Sequence, residues 1–175
     1  MSPLNVSLEE TMTISNLKLN EVTGKYIITS ELSSDEIIET AKKLLNNRLR
    51  RGAIFNSPTQ VTDYLEVHLK GLEHEVFYML YLDNQNRLID KEILFTGTIN
   101  AASVYPREIV KSVLKKNAAS VILAHNHPSG IAEPSQADKL ITTKIQHALN
   151  HIDVNVLDHI IIGENTVSFA ERGLI

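Results

Sequence analysis

The sequence predicts an α+β domain in which helices flank a mixed β-sheet. Three observations carry that prediction. The apolar pattern has helical period from about residue 33 to 70, then changes to continuous apolar runs, VFYMLYL at 76–82 and AASVILAH at 118–125. The cluster Asp83-Asn84-Gln85-Asn86 ends the first run and turns the chain into RLIDKEILF at 87–95, its antiparallel partner. Helical stretches then separate the later strands, as in a sheet with helices packed on it.

Taken in order, residues 1–30 form a peripheral N-terminal arm. Leu17, Leu19, Tyr26, Ile27 and Ile28 can make short strands there, although polar residues interrupt the pattern. An N-terminal basic helix is expected over 31–53. Ser33 or Ser34 can cap it, and Asp35 and Glu36 stand in the first turn, where the helix dipole favours acids. Ile37, Ile38, Ala41, Leu44, Leu45 and Leu49 recur at helical spacing, and Gly52 ends the run. The basic cluster Lys42, Lys43, Arg48, Arg50 and Arg51 reads as a solvated helix face.

The domain proper spans 54–175. A second helix opens at Ser57-Pro58, with the serine as cap, the proline as first helical residue, and Val61, Tyr64, Leu65 and Leu69 inward. After the hairpin, Pro106 starts a third helix with Ile109, Val110, Val113 and Leu114 inward, closed by Asn117. The run 118–125 reads as a central strand, followed by a helix over about 136–149 and strands near 154–162 and 166–169.

Composition limits the chemistry. The 175 residues contain no cysteine and seven histidines and carry a net charge of −4. Disulfides, thiol nucleophiles, iron–sulfur clusters and thiolate zinc sites are thereby excluded. A mildly acidic total argues against broad coating of nucleic acid. No apolar run approaches a membrane span, and the start MSPLNVSLEET lacks the apolar core of a signal peptide, so a cytoplasmic location without membrane association is expected. Neither G-x-G-x-x-G nor a Walker-type loop occurs. Metal chemistry here must use His, Asp and Glu.

The informative segment is AHNHPSGIAEPSQAD, residues 124–138. His125 and His127 stand two apart at the end of an apolar strand, so alternation brings both imidazoles out on one face, as a single metal ion requires. Pro128-Ser129-Gly130 then forces a turn. Asp138, in the first turn of the next helix, is the third candidate ligand. Two histidines and one carboxylate leave a fourth position for water, the open arrangement of a catalytic site. Ser135-x-x-Asp138 also reads as a capping box, a structural role that can coexist with ligation if the serine hydroxyl faces substrate. A metal hydrolase further needs a base. Glu73, Glu75 and Glu92 are candidates; Glu73 and Glu75 share strand parity, and alternation does not separate them.

His125-x-His127, seven residues, Ser135, two residues and Asp138 reproduce the spacing of the JAMM motif of MPN-domain metalloproteases. The strings HNHPSG, PSQAD and VLDHIIIG, with GLEHEVFYMLYLDNQNRLI, Gly97-Thr98 and YPREIV upstream, resemble RadC, the bacterial branch of that superfamily. The resemblance covers roughly 54–172 and is to the short RadC-like form, since the helix-hairpin-helix region of full-length RadC is not evident. It implies an MPN fold, similar in layout to cytidine deaminases, and a zinc-dependent hydrolase of peptide or isopeptide bonds in a peptide or protein substrate. His125, His127 and Asp138 match the Zn2+ ligands, Ser135 the serine that holds the oxyanion, and Glu75 the general acid/base. One departure is Asn126, between the histidines, where eukaryotic members usually have Ser or Thr; it is expected to point away from the core and to bear on substrate preference.

The alternative is a DNA repair-associated or DNA-binding protein whose JAMM domain acts on or binds nucleic-acid-linked partners. The RadC name and the basic helix suggest it, and the acidic total weighs against it. A non-catalytic MPN scaffold would lose the ligands that this chain keeps. A deaminase would need cysteine ligands, and the dispersed residues of an HNH nuclease are not the literal string His-Asn-His. His159 reads as a buried, hydrogen-bonded histidine, with orientation of a metal ligand as second reading. Arg107 reads as an exposed helix charge, and His68, His74, His147 and His151 as surface residues.

Overall fold

The computed structural model describes residues 17–20, 23, 25–48, 54–55, 57–97 and 104–175. Leu49, Arg50, Arg51, Gly52 and Thr98 therefore lie outside the described residues. The chain divides into two compact units, Met1–Leu44 and Leu45–Ile175. The first holds an antiparallel hairpin, β1 (Leu17–Asn20) and β2 (Lys25–Ile28), with Leu17 opposite Ile28. Helix α1 (Ser34–Arg48) follows. Ser33 caps it reciprocally: its Oγ accepts from the Glu36 N–H, and its own N–H donates to Glu36 Oε2 at 2.8 Å. Ile37 and Ile38 are 52% and 49% exposed, so the apolar stripe expected on this helix is only partly buried. A described sheet of two strands is too small to enclose a helix face.

The second unit contains α2 (Pro58–Leu69), β3 (Val76–Leu82), β4 (Leu88–Thr96), α3 (Pro106–Lys116), β5 (Ser120–Asn126), α4 (Gln136–Asn150), β6 (Asn155–Ile162) and β7 (Thr166–Ser168). The sheet order is β4-β3-β5-β6-β7, with β5 and β6 parallel and every other neighbour antiparallel. Parallel neighbours need a crossover, and α4 supplies it. On one face Phe77, Met79, Tyr81, Val121 and Leu123 share a core with Ile109 and Val113 of α3 and Ile141, Ile145 and Leu149 of α4. On the other, Tyr78, Leu80, Leu82, Ile122 and Ala124 share one with Val61, Tyr64, Leu65 and Leu69 of α2. Both faces being covered, all seven residues of β3 are buried, which is why its apolar run is continuous instead of alternating. Among the described residues no helix is long and apolar enough to cross a membrane.

Three expectations change. Leu114 is 59% exposed, not inward. At 100° per residue it lies about 140° around α3 from Ile109, outside the stripe that Ile109 and Val113 define. Ser57 stands at the N-cap of α2, but its side chain makes no capping hydrogen bond. His68 is half-buried, with its ring centroid 4.0 Å from that of Tyr64 and Nδ1 2.8 Å from the Tyr64 carbonyl. Asn117 does close α3, in the left-handed conformation at φ 53°.

Glu92, one of the candidate bases, is built into a different structure. Its Oε2 accepts hydrogen bonds of 2.9 Å from both Tyr81 and Ser112 and lies 3.2 Å from Lys116 Nζ. Lys116 also meets Asp90 at 3.0 Å, so this cluster fastens β4 to α3.

Candidate metal centre

The end of β5 places the two histidines. His125 is fully buried as the penultimate strand residue, and the His127 N–H donates to the Ile162 carbonyl at 2.8 Å, extending the β5–β6 ladder past the strand. Pro128 ends this course. The turn closes with the Gly130 N–H on the His127 carbonyl at 2.9 Å and Gly130 at φ +83°. Here two backbones touch: a Cβ on Gly163 would lie 2.3 Å from the Gly130 carbonyl oxygen. Helix α4 then starts with Ser135 as N-cap and returns Asp138 to the histidines.

The ligating atoms converge. His125 Nε2 and His127 Nε2 are 3.0 Å apart, Asp138 Oδ1 is 3.2 Å from the first, and Oδ2 is 3.6 Å from the second. With Glu75, one ligand atom from each of four residues lies within 4.8 Å of the others. Glu73 is exposed and is not part of this group, which separates the two glutamates that strand parity left equal.

Hydrogen bonds at the far side of each ring fix the tautomers. His127 Nδ1 is 2.6 Å from the Ile131 carbonyl, which only accepts, so Nδ1 carries the hydrogen and neutral His127 offers an Nε2 lone pair. The Thr142 hydroxyl donates to the Asp138 backbone carbonyl at 2.6 Å. It must then accept from His159 Nδ1, also at 2.6 Å. Burial holds the His159 pKa well below the usual imidazole value, with the nearby His125 adding to the effect, so the ring is neutral and its Nε2 is an acceptor. His125 Nδ1, 2.8 Å away, donates to it and leaves its own Nε2 lone pair facing the centre. The relay Asp138 C=O, Thr142, His159, His125 therefore aims an acceptor at the point where Asp138 and His127 also aim theirs.

Two bare lone pairs 3.0 Å apart repel unless a positive charge lies between them. A proton is one answer: the hydrogen bond to Asp138 raises the His127 pKa despite partial burial, with the Ile131 carbonyl adding to it. Burial pushes the Asp138 carboxyl up, but the adjacent imidazoles of His125 and His127, when either carries a proton on Nε2, outweigh it and hold the group well below the usual carboxylate range. A divalent cation is the fuller answer, because it satisfies both nitrogens and the carboxylate at once. The donor set thus fits a metal held by His125, His127 and Asp138, with Glu75 in reach.

Two side chains differ from expectation. The Ser135 hydroxyl does not face outward: it accepts from the Asp138 N–H at 3.1 Å and donates to Asp138 Oδ2 at 2.6 Å, while the Ser135 N–H reaches the same oxygen at 2.7 Å. The short serine side chain in a capping box rests its hydroxyl on the helix start. Asn126, expected to point away from the core, is 2% exposed, because β5 is covered on both faces. Its Oδ1 accepts from the Val76 N–H at 2.8 Å, and its Nδ2 donates to the carbonyls of His74 at 3.0 Å and Leu72 at 3.4 Å. His159 is the buried, hydrogen-bonded histidine of its first reading, and its bond to His125 Nδ1 is compatible with the second, orientation of a candidate ligand. Thr142 was not singled out, although its place one helical turn after Asp138 puts both on one face of α4. Arg107 is exposed, beside the Tyr105 ring, as read.

Comparison with known proteins agrees with this architecture. The profile of the RadC-like JAB domain matches residues 55–174. A UPF0758 protein of Pseudoalteromonas translucida is 62% identical over 154 residues, 87% of this chain and 66% of that protein. One UPF0758 protein of Vibrio cholerae is 50% identical over 149 residues, 85% of this chain and 94% of its own length. A longer one is 54% identical over 140 residues, 79% of this chain and 62% of its own. The chain thus spans somewhat less than two thirds of its longer relatives and nearly all of a short one. The five-stranded mixed sheet and the four described helices are those of a JAB/MPN fold. By profile, by relatives and by fold, this chain belongs to the RadC-like JAB domain family.

Proposed function

We propose that the chain is a zinc-dependent hydrolase of peptide or isopeptide bonds, with His125, His127 and Asp138 as zinc ligands and Glu75 as general acid/base. The observation that carries this reading is the convergence of the four ligating atoms within 4.8 Å. A tetrahedral zinc with ligands at about 2.0–2.2 Å would separate those ligands by about 3.3–3.6 Å. The 3.0, 3.2 and 3.6 Å spacings at the centre bracket that edge. His125, His127 and Asp138 would leave a held zinc ion one position for water, and the ion would supply Lewis-acid chemistry, lowering the pKa of a water to about 7 and polarising a substrate carbonyl.

The chain's own groups do the rest. Glu75 lies half-buried in a cleft with Glu73, His74, Thr96, Gly97 and Pro128, where substrate and water have access. It takes the proton of the attacking water and returns it to the leaving amine. Ser135 turns its hydroxyl hydrogen from Asp138 to the oxyanion as charge develops there. His159 and Thr142 hold the His125 ring in one tautomer throughout.

Metal analysis of the purified chain beside His127→Ala and Asp138→Ala tests the centre: the wild type should retain about one zinc and the variants none. Equal, trace metal in all three would remove the proposal. Incubation of the zinc-loaded chain with a broad peptide and isopeptide library tests the reaction. Zinc bound without any cleavage there would leave the centre standing and discard the reaction class.

A further inference from the structure

We infer that Asn126 is a positioning residue for Glu75, one carboxamide fixing the backbone on both sides of the glutamate and so setting where its carboxylate meets the metal centre. This rests on the general-base reading of Glu75.

The backbone ladder between β3 and β5 stops at the pair Phe77 and His125. Glu75 lies beyond it, before the first residue of β3 and after an irregular stretch that includes Gly71 at φ +81°. What joins this stretch to the ligand-bearing strand is the Asn126 side chain, bonded to the Val76 N–H on one side of Glu75 and the His74 carbonyl on the other. From the opposite direction the Gly97 N–H donates to the Glu75 carbonyl itself at 2.8 Å. His74 C=O, Glu75 C=O and Val76 N–H are all held, two of the three by one residue.

The residue type matters. A carboxamide carries an acceptor and two donors in one plane; a carboxylate lacks the donors, and a serine or threonine hydroxyl has a single hydrogen and a shorter reach. Burial at 2% exposure keeps water from replacing these bonds. By strand alternation Asn126 projects to the face opposite His125, so it does not compete for the metal. It makes the ligand strand and the base segment move as one piece, and a misplacement of about 1 Å at a reacting group can cost on the order of 10²-fold in rate.

The test uses the full chain loaded with Co²⁺ in place of zinc and follows its visible absorption against pH. A carboxylate held beside the metal-bound solvent shifts the midpoint of that transition, and Glu75→Gln should move it by on the order of one pH unit. Asn126→Ala should move it in the same direction by a substantial fraction, while Co²⁺ affinity stays within about threefold, well short of the loss that follows damage around a ligand. In the Glu75→Gln background, adding Asn126→Ala should change nothing further. Asn126→Thr keeps one hydroxyl, too short to serve both Val76 and His74; it should fall between, and it carries the same cycle should the alanine variant not fold. A wild-type midpoint in the Asn126 variants, or a shift of equal size with and without the Glu75 side chain, overturns the inference. Failure of the general-base reading looks different: Glu75→Gln alone then leaves the midpoint in place, and the inference falls with it.

Discussion

The β3–β4 hairpin carries a carboxylate cluster toward each end, and the two have opposite characters. At the Tyr81 end, Glu92 and Asp90 face Lys116, with the hydroxyls of Tyr81 and Ser112 as further donors to Glu92. Burial raises the Glu92 carboxyl, and the bonds from Ser112, Tyr81 and Lys116 overcome it and keep the group below its ordinary value. Donors and acceptors balance, and the result is a strut between sheet and helix. At the Glu75 end, the groups brought together are two imidazole lone pairs and two carboxylates, nearly all acceptors. Sequence reading placed Glu92 and Glu75 on one footing as candidate bases. What distinguishes them is the partners: a balanced cluster is finished, whereas an acceptor-rich one is complementary to a cation.

The largest expected effect breaks the acceptor-rich end directly. Asp138→Ala should weaken zinc binding by more than about 100-fold, since loss of an outer partner alone costs about 10–100-fold. Glu92→Gln, measured by the same chelator competition, should leave affinity unchanged; a comparable loss in both would erase the distinction. Next, His159→Phe preserves the aromatic packing against Phe77 and Phe169 but removes the acceptor for His125 Nδ1. Zinc affinity should drop about 10–100-fold, whereas His159→Gln, which can both accept and donate, should stay near wild type. No difference between Phe and Gln would show that the ring only fills space.

The pH dependence follows from His127. Its pKa in the metal-free protein lies above the usual 6.5, and zinc needs the neutral ring. Affinity is therefore full above that raised pKa and should fall about tenfold per pH unit below it, so that the decline begins before pH 6.5 is reached. Calorimetric titrations between pH 8 and 6 would check this; a flat profile down to about 6 contradicts it. The smallest effect concerns the balanced end. Tyr81→Phe deletes a donor to Glu92 and should cost about 1–2 kcal/mol in urea unfolding, with zinc affinity untouched.

Much of this was legible from residues. Continuous apolar runs marked the strands buried on both faces, and the H-x-H spacing put two rings on one side because strand alternation is a rigid rule. The spacing to Asp138 was legible through its helix start. What alternation cannot decide is where a strand begins. Alternation left Glu73 and Glu75 equivalent and only the resemblance chose Glu75; in the structure the ladder opens at Val76, with Glu75 pinned between Asn126 and Gly97. Ser135 was legible in part: the sequence shows a hydroxyl able to cap and to face substrate, and the bond to Asp138 Oδ2 shows that it rests on the helix start here. His159 and Asn126 act on residues 34 and 50–54 positions away, distances over which local pattern carries no information.

The contact between Gly163 and the Gly130 carbonyl bears on which sequences the fold can accept. Position 163 contacts no catalytic group, yet a single added methyl would press on the turn whose Ile131 carbonyl holds the His127 ring. Alanine there, the mildest replacement chemically, would disturb the candidate metal centre through the main chain. Positions of this kind look neutral in a catalogue of side-chain roles, and a mutational scan scored on zinc retention should place Gly163 among the intolerant sites alongside the ligands themselves.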